Sequence, residues 1–257
     1  MWIFIIAGFA AMVLAHTAPF PFLLEFLGPE RSVWHQPAPD GTPTVYLTFD
    51  DGPNPTATPE LLDVLAAHQA RATFFVIPRH VTEATAPIVR RMFDEGHAVA
   101  LHSHTRALML MQPEDFAAML TEQASTLERL TTRAPCRLFR PHAGWRGGEM
   151  YNGLDRAGYT LAGWSLGMWD WNWWRPTEAS SLVSRLVDRA SDGDIFVLHD
   201  GHHEDPRADR QETVEAISRL VPALRERGFD FATLCPGDGA VSGEVGDAPV
   251  ANAPPAS

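Results

Sequence analysis

Four apolar runs in this chain each end in reactive side chains, and their recurrence limits the fold more tightly than any other feature of the sequence. Val45-Tyr46-Leu47 runs into Thr48-Phe49-Asp50-Asp51, His97 to Leu101 into His102-Ser103-His104, Leu138-Phe139 into Arg140-Pro141-His142, and Ile195 to Leu198 into His199-Asp200. They follow one another at about 40 to 55 residues, the pitch of strands that alternate with helices. The segments between them carry apolar residues at three- and four-residue steps. Thr58-Pro59-Glu60 opens Leu61 to His68, and Pro113-Glu114-Asp115 opens Phe116 to Leu130, as helix starts commonly do. Pro87 to Glu95, Glu149 to Ala157, Glu178 to Arg189 and Asp209 to Arg227 show the same period, and Pro222 should kink or divide the last. With Ala72 to Val76, Thr160 to Trp164 and Phe229 to Thr233 as further strands, seven βα units are predicted. The expected fold is α/β, a distorted barrel of about seven parallel strands. Such barrels carry their chemistry at the C-terminal strand ends, so the four clusters should converge on one mouth.

The 257 residues suffice for one barrel with a sizeable core. A formal net charge of -12 and no cluster of Lys and Arg argue against a polyanion, so no nucleic acid is expected as partner. Trp2 to Leu14 is apolar without interruption, Phe20 to Leu27 nearly so, and Ala15 and Ala18 could serve a signal peptidase. Residues 1–27 are therefore expected to be a signal or membrane anchor, 28–43 a linker, 44–235 the catalytic domain, and 236–257 a disordered tail of Gly, Pro, Ala and acidic residues. The expected location is the cell envelope or outside the cell, with membrane association through the N-terminus. Cys136 and Cys235 have no Cys-x-x-Cys spacing. One starts a predicted strand and the other ends one, so no disulfide is expected and both read as core thiols.

Asp50 and Asp51 follow a strand and precede Gly52-Pro53. Side chains alternate along a strand, so the two carboxylates should diverge at the turn, leaving one free to act as a base and the other to hold a metal.

From Thr44 to Cys235 these motifs resemble the polysaccharide deacetylases with the NodB homology domain, carbohydrate esterase family 4. Thr48-Phe49-Asp50-Asp51-Gly52-Pro53 matches the first family motif and implies Asp50 as general base and Asp51 as metal ligand. Arg140-Pro141-His142-Ala143-Gly144 matches the third, with Arg140 steering the base and the backbone N–H near Ala143 helping to hold an oxyanion. Trp164 to Trp171 matches the fourth, with Asp170 as the carboxylate that tunes the catalytic histidine. Ile195 to Asp200 matches the fifth and implies His199 as general acid.

The second motif departs from the family. Gly96-His97 and His102-Ser103 align, but the second histidine ligand, expected four residues after His102, is Arg106. A guanidinium has no lone pair to offer a cation. With Asp51 and His102 alone the site would have two protein ligands where catalytic zinc sites ordinarily have three, so His104 and His142 are the candidates for the third. The other expectation is that Arg106 fills the vacated space and pairs with Asp51. Trp145, Trp169 and Trp173 are candidate walls for stacking on a sugar ring. The resemblance implies a hydrolase that removes N-acetyl groups from an acetylated sugar of an oligo- or polysaccharide, with a divalent metal of the zinc type as cofactor. Alternatives are a metal-independent amidohydrolase using the same Asp50 and His199 on a small C–N substrate, and a carbohydrate-binding relative without catalysis.

Overall fold

The computed structural model describes residues 4–10, 32–38, 40–167, 170 and 178–235. Its strands, in chain order, are β1 (Ser32–Val33), β2 (Thr44–Asp50), β3 (Ala72–Val76), β4 (Ala98–His102), β5 (Leu138–Arg140), β6 (Thr160–Ala162), β7 (Leu166–Gly167), β8 (Ile195–His199) and β9 (Asp230–Phe231). They form one sheet in the order β1-β6-β5-β4-β3-β2-β8-β7, with β9 on the first residues of β2, and every named pairing is parallel. The helices are α1 (Ala57–Ala67), α2 (Ala86–Asp94), α3 (Pro113–Thr131), α4 (Gly148–Ala157), α5 (Ala179–Arg189) and α6 (Gln211–Glu226).

The curled sheet does not close through β1 and β7. Instead, the chain after β1 bridges to the start of β8, where His35 pairs antiparallel with Asp194 and Gln36 N–H donates to the Gly193 carbonyl at 2.9 Å. β1 and β7, of two residues each, are too short to show a period of two, and so had no signal in the sequence. β1 also means that the segment expected to be a linker, 28–43, contributes a strand. Near the other end, β9 is shorter than the predicted Phe229 to Thr233.

Strand parity sorts the side chains. Val45, Leu47 and Phe49 of β2, Phe74 and Val76 of β3, Val99 and Leu101 of β4, and Phe196 and Leu198 of β8 belong to the large apolar cluster shared with the helices. Tyr46, Phe75, Ala100, Ala162 and Ile195 form a smaller cluster on the other face. By the same alternation, Thr48, Asp50, His102, Arg140 and His199 lie on that interior face, at or just below the C-terminal rim.

Two expectations need correction. α6 runs unbroken through Pro222; the residue lacks only one donor, and the helix is anchored on both sides of it by buried Ile217, Leu220, Val221 and Leu224. Cys136 and Cys235 are joined as a disulfide, with Cα atoms 6.3 Å apart. The strand assignment misplaced Cys235. After β9 the chain turns beneath the barrel, where Leu234 N–H donates to Thr73 Oγ1 at 2.9 Å, and so comes to the N-terminal end of β5 where Cys136 sits.

Residues 4–10 are helical, with Phe4, Ile5, Ile6 and Phe9 exposed. Among the described residues, no helix is long and apolar enough to cross a membrane. The expected tail, 236–257, lies outside the described residues.

Candidate active site

Sheet register brings the reactive groups together. Asp50 at the end of β2 is the register partner of His199 on β8, and His102 on β4 is the partner of Arg140 on β5. Asp50 and Arg140 are buried. Arg140 Nη1 donates to Asp50 Oδ1 at 2.7 Å and to Thr48 Oγ1 at 2.6 Å, while Nε and Nη2 donate to the carbonyls of Ala162 (3.2 Å) and Gly163 (2.7 Å). The guanidinium also lies 3.9 Å from the Phe75 ring centroid. A planar fork fixed at this many points holds one oxygen of Asp50 and leaves the other for a second partner.

Asp51 turns away from the strand with φ 71°, a left-handed conformation uncommon outside glycine. Its carbonyl is met by His80 Nδ1 at 3.2 Å. His80 thus backs the turn, although nothing in its sequence context set it apart from a core histidine. Asp200, from the end of β8, packs under the turn against Gly52, where no Cβ could fit, and accepts from Thr58 Oγ1. Burial pushes the Asp200 carboxyl up to about 7.

His102 Nδ1 lies 2.8 Å from the Arg140 carbonyl. A carbonyl can only accept, so Nδ1 carries the proton and Nε2 presents a lone pair. That lone pair faces Asp51 Oδ1 at 3.3 Å, and this oxygen is buried with no hydrogen-bond partner. Two acceptors facing each other in a buried site want a cation between them. His142 completes the set: ligand atoms of Asp51, His102 and His142 lie within 4.8 Å of one another, and among the described residues this is the one cluster of three such groups. These three side chains are close enough together to be the ones that would hold a single ion. Burial penalises the charge on Asp51, yet its carboxyl is held below the usual range when the His102 and His199 rings carry protons, a positive charge that a bound cation would supply in their place. Burial above all holds His142 down at about 4, keeping its imidazole neutral as a ligand must be.

His199 Nδ1 bonds Asp170 Oδ1 at 2.9 Å, and its backbone N–H donates to Asp170 Oδ2 at 2.7 Å. Thr213 Oγ1 donates to the same Oδ2 at 3.1 Å, and Arg210 bridges the Asp170 and Gly201 carbonyls. Burial works against a charged His199, but Asp170 outweighs it and raises the ring's pKa.

Of the candidates for the third ligand, His142 joins the cluster and His104 does not. Arg106 makes no ion pair with Asp51 among those the structure records; its guanidinium lies 6.0 Å from the Trp145 ring centroid. The reason is local. Thr105 Oγ1 caps a 3-10 turn over Arg106–Leu110 through the Ala107 N–H, and Arg106 is exposed on it. Ala143 sits half-buried at φ 52° beside His142, and Trp145 is half-buried nearby. Trp169 and Trp173 lie outside the described residues. Thr48, Ser103, Thr213 and Arg210 carried no signal of their own, because their part is to hold other side chains.

The family model for polysaccharide deacetylase matches residues 38–162. A chitooligosaccharide deacetylase from Sinorhizobium fredii is 38% identical over 200 residues, covering 76% of this chain and 91% of that protein. Among solved structures, the Bc1960 peptidoglycan N-acetylglucosamine deacetylase superposes with a TM-score of 0.70 at 26% identity, covering 82% of this chain and 94% of the other. A family 4 acetyl xylan esterase from Clostridium thermocellum, in complex with a cobalt ion, gives 0.65 at 30% identity, covering 74% and 88%.

Proposed function

The chain belongs to the polysaccharide deacetylase family, and we propose that it hydrolyses the N-acetyl group of an acetylated amino sugar within an oligo- or polysaccharide. The observation that carries this reading is the pairing across β2 and β8 of a carboxylate held by an arginine with a histidine held by a carboxylate. Carbohydrate binding alone needs neither pair. Arg140 fixes Oδ1 of Asp50, and the other oxygen takes the proton from water as its oxygen attacks the acetyl carbon. The N–H of Ala143 donates to the developing oxyanion. His199, kept protonated by Asp170, then gives a proton to the departing nitrogen as the C–N bond breaks, releasing acetate and a free amine. Trp145 offers a face for the sugar.

Asp51, His102 and His142 would hold a divalent ion, zinc by the character of the donors. When bound, such an ion supplies a Lewis acid that polarises the acetyl carbonyl. The unpaired Asp51 Oδ1 and the tautomer of His102 support this ligand set, and the relative in complex with a cobalt ion supports a divalent metal as the cofactor. Asp50→Asn should lower acetate release from N-acetylglucosamine oligosaccharides at least about 100-fold while leaving zinc affinity near that of wild type. Retention of a tenth of the turnover would show that another group is the base.

The apolar N-terminal segment and the Cys136–Cys235 bridge support export to the envelope with attachment through residues 1–27. Fractionation of cells producing the full chain tests this, and recovery in the cytosol with free thiols would overturn it.

A further inference from the structure

Of the two candidate histidine ligands, His142 has the less supported ring. His102 has its Nδ1 fixed by the Arg140 carbonyl, the kind of bond that normally orients a metal-bound imidazole. His142 has its backbone N–H on Ser103 Oγ at 2.7 Å, but its ring has no hydrogen bond among the described residues. Among the described residues its closest aromatic neighbour is the imidazole of His203, whose centroid is 4.5 Å away with the planes tilted by 54°. That spacing is packing contact between rings, too short for an in-plane imidazole-to-imidazole hydrogen bond.

His203 is itself anchored from two sides. Its carbonyl accepts from the Arg79 guanidinium. On its far side stands His202, 4.4 Å away, whose Nδ1 accepts the backbone N–H groups of Glu204 and Asp205 at 3.2 Å each. With Nδ1 taken as acceptor, the neutral His202 ring carries its proton on Nε2 and is not free to ligate through either nitrogen without breaking that turn. The result is a row of imidazoles, His202, His203, His142 and then His102 at 6.3 Å, backed by the loop that follows His199.

We propose that His203 is a positioning residue for His142: its ring face holds the third ligand toward Asp51 and His102, the part that the Arg140 carbonyl plays for His102. This rests on the reading of His142 as a metal ligand. It gives the loop after β8 a second task, since the same segment carries His199 at its start and braces the metal side of the site four residues later.

The test is zinc titration of the chelator-stripped full-length protein by calorimetry, with the cobalt d–d spectrum as a readout of ligand geometry. His203→Ala should weaken zinc binding about tenfold, the lower end of what loss of a supporting group costs a metal site, and shift the cobalt spectrum. His203→Phe should stay within about threefold of wild type, because the packing face survives without a nitrogen. If both variants bind equally poorly, the nitrogen matters and the packing role is wrong. If His203→Ala binds as wild type does while His142→Ala loses tenfold or more, the positioning role fails and the ligand assignment stands. If His142→Ala also binds like wild type, the ligand assignment itself has failed, and the positioning role with it. Should His203→Ala misfold by circular dichroism, Arg79→Met releases the loop from its other side and should weaken zinc affinity in the same direction; unchanged affinity would overturn the proposal.

Discussion

Asp200 is a buried carboxyl beneath the turn that carries Asp51, and its surroundings favour the neutral form. Its folded pKa, about 7, lies above the ordinary value of 3.8, raised first by burial. A raised acid contributes stability that is complete below the unfolded pKa and is lost as pH rises through the folded one. The loss should therefore fall between about pH 4 and pH 7. Asp200→Asn keeps the shape without the titration, so its stability relative to wild type should climb by a few kcal/mol across that window. Denaturant unfolding in chelator at several pH values measures this, and a constant difference between the two proteins would show that Asp200 is ionised throughout. The roles of Asp50, Asp51, Arg140, Asp170 and His199 could be suggested from sequence because each sits in a motif at a strand end. Asp200 stands in the last of those motifs, but its part beneath the Asp51 turn could not be read from it, nor could that of His80. Their contacts are to backbone and to residues such as Thr58, 142 positions distant, and no local pattern encodes them.

The elements that decide the metal side are two short 3-10 turns, Arg106–Leu110 and His142–Gly144. The sequence showed that a ligand was missing at Arg106 and offered His104 and His142 as replacements; choosing between them needed the fold. β4 and β5 are neighbours, paired at His102 and Arg140, so the residue two places after Arg140 comes back beside His102. His104, two places after His102 itself, goes with the turn toward the surface. Arg106→His should therefore change zinc affinity by less than about threefold if the proposed set, with His142 as third protein ligand, is the one that binds. A tenfold or greater gain in calorimetric titration would mean that the ligand set is incomplete without position 106. Strand parity, by contrast, was legible throughout. The same alternation that sends Leu47 and Phe49 into the helical layer sends Thr48 and Asp50 to the interior.

At the scale of the whole molecule, the long strands and helices α1 to α6 were visible in the spacing of apolar residues, and the barrel followed from their alternation. Closure was not visible. The edge strands β1 and β7 are too short to show a period, and the edge is bridged instead by the pairing of His35 with Asp194. The Cys136–Cys235 bridge was misread for a related reason: two cysteines separated by 99 residues meet only once the path beneath the barrel is known. What the assembled barrel does achieve is a single mouth where a fixed carboxylate, a tuned histidine and three candidate cation ligands face one another. The most direct test of that account is acetate release from an N-acetylglucosamine oligosaccharide, followed as the purified protein is stripped with chelator and then refilled with zinc. Release should fall with chelation and return on addition of one equivalent of zinc per chain. Undiminished release from protein shown to hold no stoichiometric metal would contradict it.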